Sequence, residues 1–215
     1  MDLETCRLAI LPLGTANVLA SELGISADLR KAIRHIASGK EKIWDVGLAD
    51  NRRFVVFVGA AFDAAVAGTL SRQRKGNINI LSYLIPTIQT YANWRSPKIK
   101  VAIDGRELDG FASQVIISNV NHFAGFFELS PQICPDDSLL DVFVFRSKGR
   151  FAVMKYFFAM LFKILPSFKS VEAYKAKEII IKSEQQNVPY QLDGDAAGTL
   201  PLKISVLPHK LKIMV

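Results

Sequence analysis

The chain has 215 residues, half of them hydrophobic and 22% charged, with a net charge of +7. That composition excludes a disordered or low-complexity chain and allows one large domain, or one domain with part of another. The basic balance favours anionic partners, namely nucleotide phosphates, nucleic acid or an anionic membrane surface, and says nothing about fold.

Two cysteines, Cys6 and Cys134, and three scattered histidines form no Cys-x-x-Cys pair, which argues against a zinc site or a disulfide framework. Thiols of this kind suit a reducing cytosol. Met1-Asp2-Leu3-Glu4 is acidic where a secretory signal would be basic.

In chain order, residues 7–13 form an apolar run that ends in Pro and Gly, which predicts a buried strand. Residues 16–24 predict a helix, with Val18, Leu19 and Leu23 at helical spacing and Gly24 as its stop. Asp28 to Ser38 predicts a second helix, with Leu29, Ile33 and Ile36 on one face. The pattern then changes. "IWDVGLAD", "RRFVVFVGAAF", "PKIKVAIDG", "ASQVIISNV", "LLDVFVFR", "KEIIIKSE", "VPYQLDGD", "LKISVLP" and "KLKIMV" are short, β-branched or alternating, and mostly bounded by turn residues. Asp50-Asn51 and Asp104-Gly105 read as hairpin turns. Two helical insertions interrupt the strands, about residues 77–94, with Pro86 as a bend, and about 149–165.

The second insertion lies in the most apolar segment, "FAVMKYFFAMLFKILPSF", which carries Lys155 and Lys163. It is too short and too charged for a membrane span of about 20 apolar residues. Two roles remain open for it: packing an apolar face into the sandwich, or docking on a membrane surface. The chain therefore divides near residue 42 into a small α/β piece and a largely β region that suits a sandwich. One strand and two helices cannot bury both faces of a sheet, so the front piece needs strands from elsewhere.

Three stretches offer chemistry. In Gly14-Thr15-Ala16-Asn17 a glycine at a strand–helix turn lets backbone N–H groups approach an anion, with the helix dipole aimed at the same place. Thr15 and Asn17 add polar groups that can bond phosphate, although a plain turn with Thr15 as helix cap explains the same residues. In "YQLDGDAAG", Asp193 and Asp195 flank a glycine between two strands. One could accept a proton from an attacking hydroxyl while the other positions metal or nucleotide, and an ordinary Asp-Gly hairpin is the alternative. In "SPQICPDDSLLDVFVF", Asp137 with nearby carbonyls suits a hard cation, or the aspartates simply form a turn. His122, in "NVNHFAGFFELSP", reads as structural, and Asn119 and Asn121 could line a cleft.

Taken in order, these stretches resemble the diacylglycerol kinase-like lipid kinases, which include bacterial lipid kinases and sphingosine kinases. "ILPLGTANVLASELGI" is similar to the family's Pro-x-Gly-Thr-x-Asn motif. "NVNHFAGFFELSPQICPDDSLLDVFVF" resembles its Asn-rich loop and Asp-Asp-Gly-Leu-Leu-Asp turn. "QLDGDAAG" resembles its Asp-Gly-Glu motif, and "KISVLPHKLKIMV" its closing strand pair.

The resemblance implies an α+β chain, mainly a β-sandwich C-terminal domain with helical insertions (43–215), preceded by the tail end of an α/β nucleotide-binding domain (1–42). It implies ATP and Mg²⁺ as cofactors and transfer of the γ-phosphoryl group to a lipid hydroxyl such as that of diacylglycerol. Asp193 would be the general base, and Asp195 would stand at the family's Glu position near nucleotide and metal. Gly14, Thr15 and Asn17 would hold phosphates. Asp137 would bind a structural Mg²⁺ or Ca²⁺ beside the carbonyls of Cys134 and Leu139. The partners implied are a lipid substrate at a membrane surface and a nucleotide, with no nucleic acid and with a homodimer left open. The place implied is the cytoplasm, including the inner membrane face.

Four departures stand out: no Gly-Gly-Asp-Gly-Thr stretch, Val18 where the family has Asp, Asp195 for Glu, and Ser138 for Gly. They predict a partial chain with reduced or no activity alone. An NAD kinase-like enzyme and a non-catalytic, membrane- or partner-binding β-domain are the alternatives.

Overall fold

The computed structural model describes residues 6–14, 16–73, 80–123 and 127–215, with the side chains of residues 73 and 80–83 left aside. In chain order the elements are β1 (Arg7–Leu8), α1 (Val18–Glu22), α2 (Leu29–Ala37), β2 (Glu41–Ala49), β3 (Arg52–Phe54), β4 (Phe57–Ala60), α3 (Phe62–Gln73) and α4 (Ile80–Ala92). There follow β5 (Ile99–Ile103), β6 (Arg106–Glu107), β7 (Gln114–Ser118), β8 (His122–Phe123), β9 (Phe127–Glu128), β10 (Leu140–Phe145) and α5 (Arg150–Leu161). A 3-10 turn (Leu165–Ser167) leads to β11 (Val171–Ala176), β12 (Glu178–Ser183), β13 (Pro189–Leu192), β14 (Asp195–Thr199) and β15 (Leu202–Met214).

Two sheets dominate. One runs β3-β2-β15-β12-β5-β6, with β1 parallel to the end of β15, and the other runs β11-β10-β7-β4-β13-β14. Alternation along the strands explains why they face each other. In β10, Leu140, Val142 and Val144 point into a core shared with Val58, Ile117, Ile179, Ile181 and Ile204, between the sheets. The odd residues Phe143 and Phe145 point the other way, into a second core with Trp44, Tyr156, Leu165 and Ile213. Both faces of β10 are buried, so "LDVFVF" reads as a continuous apolar run rather than an alternating one. The α+β reading holds: a β-sandwich with helices added to it.

The front piece is not separate from the sandwich. Ala20, Leu23, Ile25 and Ala32 pack into the same core as Trp44 and Leu211. Asp28 caps α2 by accepting from Arg30 N and Lys31 N at 2.8 and 3.2 Å.

Three expectations need correction. "LKISVLP" and "KLKIMV" are one strand, β15, whose register with β2 breaks between Leu207 and Leu211. The run 7–13 is paired as strand only at Arg7–Leu8, and Leu11 and Leu13 are exposed. Pro12 has no N–H to give to a ladder. The run "RRFVVFVGAAF" is not one strand but β3, a crossing at Val55–Val56 to the other sheet, β4, and the start of α3. α3 escaped the sequence reading because its Ala- and Gly-rich stretch shows little contrast between faces. Both hairpin turns are present, with Asp50 at φ 49°, Asp104 at φ 47° and Gly105 at φ 84°.

Gly47 of β2 faces Phe54 of β3 across the ladder. A Cβ there would lie 2.0 Å from the ring, so the phenyl group occupies the room a side chain would take. Gly47→Ala must push Phe54, itself fully buried, out of its rotamer. Urea unfolding should show a loss of about 2–3 kcal/mol.

Candidate active site

The β13–β14 hairpin turns through Asp193 at φ 50° and Gly194 at φ 93°, with Leu192 and Asp195 as the closing pair. Two successive left-handed residues are what a tight two-residue hairpin requires, and Asp-Gly supplies them. The Asp193 carboxylate is turned inward. Its Oδ2 accepts from Val55 N at 2.9 Å, and its Oδ1 accepts from Val56 N at 2.9 Å and Phe57 N at 3.0 Å. Its own N–H donates to Phe57 O at 2.9 Å. Residues 55 and 56 lie where the chain leaves one sheet for the other, and Asp193 satisfies N–H groups that have no strand partner there. Burial of the carboxyl raises its pKa, the three N–H groups pull it back down, and the charge of Asp195 adds a smaller upward push. The residue as a whole is exposed, while its carboxyl oxygens are engaged by the three N–H groups of the crossing.

Behind the turn stands Gln191, buried on β13. Its Oε1 accepts from Gly194 N at 2.7 Å, and its Nε2 donates to Asp63 Oδ2 at 3.2 Å. Asp63, in the first turn of α3, has its Oδ1 buried without a hydrogen-bond partner. Burial pushes its pKa from 3.8 up to about 6, against the lowering effect of the Gln191 bond. Gly59 makes room for it, since a Cβ there would lie 1.5 Å from Asp63 Oδ2. Asp63, Gln191 and the turn thus form one chain of hydrogen bonds. Asp195, next along, is exposed, and its carboxylate makes no hydrogen bond among the described residues.

The Gly14 loop is braced by its own asparagine. Asn17 Oδ1 accepts from Gly14 N at 2.8 Å, and Asn17 Nδ2 donates to Gly14 O at 2.8 Å and Pro12 O at 3.3 Å. Asn17 sits at φ 43° and gives no side-chain cap to α1, which has only five residues. The expected helix-dipole contribution is correspondingly slight, because the dipole needs length to build. Thr15 lies outside the described residues.

The 134–139 turn is held from below by Asp45, in the middle of β2 and fully buried. Its Oδ2 accepts from Ser138 N at 2.6 Å and its Oδ1 from His209 N at 2.7 Å. Its own N–H donates to Pro135 O at 2.7 Å, and its C=O accepts from Asn119 Nδ2 at 2.9 Å. Cys134 Sγ donates to Asp136 Oδ1 at 2.9 Å, a bond that raises the thiol pKa. Asn119 was read as a cleft residue and is buried, while His122, read as structural, ties β8 to α1 through Glu22 Oε2 at 2.7 Å. Asp45, Asp63 and Gln191 were missed. The available signal was a polar residue at an inward position of an apolar strand in "IWDVGLAD" and "YQLDGD", and one directly after "GAAF".

Comparison with known proteins bears on these features. Residues 56–215 match the family described as the YegS C-terminal NAD kinase beta sandwich-like domain, and residues 2–49 match the diacylglycerol kinase catalytic domain. The chain belongs to the diacylglycerol kinase-like lipid kinase family. Among its lipid-kinase relatives, a diacylglycerol kinase of Staphylococcus carnosus is 22% identical, covering 96% of this chain and 67% of the relative. An uncharacterized Synechocystis protein is 27% identical over 96% of this chain, which spans 48% of that relative's length. A diacylglycerol kinase crystal structure from Bacillus anthracis superposes with a TM-score of 0.70 at 25% identity, covering 97% of this chain and 66% of that one.

The lipid-kinase resemblance implies a divalent ion at Asp137, and the residues present do not fit one beside Lys175. Asp137 Oδ1 accepts from Leu139 N at 3.1 Å, and its Oδ2 takes the Lys175 ammonium. Lys175, directly across the ladder from Asp141, also stands 3.6 Å from Asp141 Oδ2 and 3.4 Å from Gln132 O. At 3.6 Å the Asp141 contact is an ion pair and not a hydrogen bond, so that buried oxygen remains unpartnered. Burial raises Asp141 to about 6 despite the Lys175 charge. The ammonium therefore already occupies the oxygen-rich place a hard cation would seek. Among the described residues no three His, Cys, Asp or Glu side chains converge on a metal.

Ser138 stands at φ 63°, the left-handed region where the lipid-kinase family has glycine. Ser138→Gly relieves a cost of about 1 kcal/mol, partly offset by the greater freedom of unfolded glycine. The urea midpoint should rise, and a fall would mean that the Ser138 side chain is needed. For Asp63, the folded pKa of about 6 exceeds the ordinary 3.8. Its contribution to stability is full below pH 3.8 and is lost as pH rises through 6. Between pH 4 and 8 the parent chain should lose up to about 3 kcal/mol relative to Asp63→Asn, read as the difference between their unfolding free energies.

Proposed function

We propose that this chain supplies the acceptor-side part of an ATP-dependent lipid kinase, which transfers the γ-phosphoryl group to a lipid hydroxyl such as that of diacylglycerol. The observation that carries this reading is the Asp193-Gly194-Asp195 hairpin. It holds one carboxylate against three main-chain N–H groups and leaves the next exposed. The names of the relatives support this reaction class.

The two aspartates divide the work. A base must receive a proton, and both oxygens of Asp193 are already accepting bonds. Asp193 is accordingly the residue that fixes the hairpin, and Asp195 the base. Asp195 takes the hydroxyl proton as the lipid oxygen bonds to the γ-phosphorus and the bond to the ADP oxygen breaks. Positioning and electrostatics supply most of the rate in such transfers. The Gln191–Asp63 chain keeps the turn rigid, so that Asp195 projects from a fixed backbone. The Gly14 loop, which Asn17 holds in shape through both Gly14 N and Gly14 O, is the segment assigned to the nucleotide phosphates. Mg²⁺ accompanying ATP would supply charge neutralisation at the phosphates.

The test uses the natural gene product with ATP and diacylglycerol in mixed micelles. Asp195→Asn should lower kcat by about 10²–10⁴-fold with little change in KM for ATP, and Asp195→Glu should retain activity. Undiminished turnover in Asp195→Asn, or phosphorylation of NAD in place of the lipid, would overturn the reading.

A further inference from the structure

α5 is apolar on two faces, and among the described residues only one of them is buried. Ala152, Tyr156, Ala159 and Met160 are buried, with the Tyr156 ring 4.8 Å from that of Phe145. The opposite side carries Phe151, Met154, Phe158 and Leu161, at spacings of three and four residues, and continues into Phe162 and Ile164. These side chains are open to solvent, Phe151 at 73% and Phe162 at 66%. Phe158 stacks on Phe162 at 6.4 Å, so the rings form a ridge and not scattered contacts. An apolar ridge of this kind on a folded surface marks an interaction site.

Charge says which occupant fits. From Val142 to Val171 the chain has six cations (Arg146, Lys148, Arg150, Lys155, Lys163 and Lys169) and no Asp or Glu. Arg146 is paired with Glu172 and Lys163 with Glu128. Lys148, Arg150, Lys155 and Lys169 are exposed, in α5 or close to it along the chain. Two of them lie along aromatic rings, Arg150 at 5.7 Å from the Phe151 centroid and Lys155 at 5.1 Å from Phe168. A second copy of the chain pairing through this face would set cations against cations. An anionic bilayer surface satisfies both features at once, with rings entering the acyl boundary and lysine heads staying at the phosphates. α5 is also short for anything deeper: no described helix is long and apolar enough to cross a membrane.

We propose that the exposed face of α5, from Phe151 to Ile164, is a membrane-docking surface selective for anionic phospholipid. This placement is independent of the phosphoryl-transfer reading, and its test measures binding alone. The full chain is floated with phosphatidylglycerol/phosphatidylcholine vesicles and with pure phosphatidylcholine vesicles, at low and high salt. Binding should need phosphatidylglycerol and weaken with salt. The double variant Arg150→Gln/Lys155→Gln should bind about 30-fold more weakly, at about fivefold per charge lost. The triple variant Phe151→Ser/Phe158→Ser/Phe162→Ser should lose at least tenfold with its urea midpoint unchanged.

Should that variant fail to fold, Phe158→Trp reads the same contact. Its emission should be quenched by lipid brominated near the glycerol end of the acyl chain. Absence of quenching, binding that ignores the anionic lipid, or undiminished binding by the folded triple variant each overturns the proposal. So does a dimer of the parent chain that the triple variant dissociates, since a second copy would then cover the ridge.

Discussion

A buried carboxylate with only main-chain partners organises this protein. Asp45 lies at the centre of an apolar strand with no exposure to solvent. A charge so placed costs several kcal/mol unless hydrogen bonds replace its water. The replacement comes from Ser138 N and His209 N, at 2.6 and 2.7 Å. Each donor sits in a segment that departs from regular geometry. Ser138 is left-handed, and His209, at φ 51°, falls where the β15–β2 register breaks between Leu207 and Leu211. The irregularities of the 134–139 turn and of the longest strand are therefore one arrangement, built around a single side chain. That strand in turn pairs with β12, β2 and β1, so it joins the sandwich to the front piece.

A second carboxylate repeats the device nearer the proposed chemistry. Asp193 closes the crossing between the two sheets and holds the hairpin from which Asp195 projects. The site's backbone and a corner of the sandwich are thus the same atoms. Lys175 plays a comparable part at the 134–139 turn, where an ammonium sits among oxygens that could otherwise hold an ion. In all three places the fold satisfies a polar group with what the chain itself provides.

The sandwich was legible because short apolar, β-branched or aromatic runs and Asp-Gly turns are local signals. "LLDVFVF", "KEIIIKSE" and the turns at Asp104-Gly105 and Asp193-Gly194 carry their structure within a few residues. α3 was not legible, because its faces differ too little in polarity and its start runs on from a strand. At the site, residue types pointed to the right segments and not to their roles. Nothing local in "YQLDGD" says that Asp193 reaches back over 136 residues to Phe57, or that Asn17 spends its amide on its own loop. Such roles depend on long-range contacts, which short motifs cannot encode.

The three bonds to Asp193 also give the protein an internal reporter. The amide protons of Val55, Val56 and Phe57 are shielded by a side chain and not by a neighbouring strand. Their exchange with solvent follows the hairpin's hold on the crossing, whereas the amides of a paired strand follow the opening of the sheet. Three adjacent backbone positions, remote in sequence from the Asp-Gly-Asp turn, therefore register whether that turn is in place.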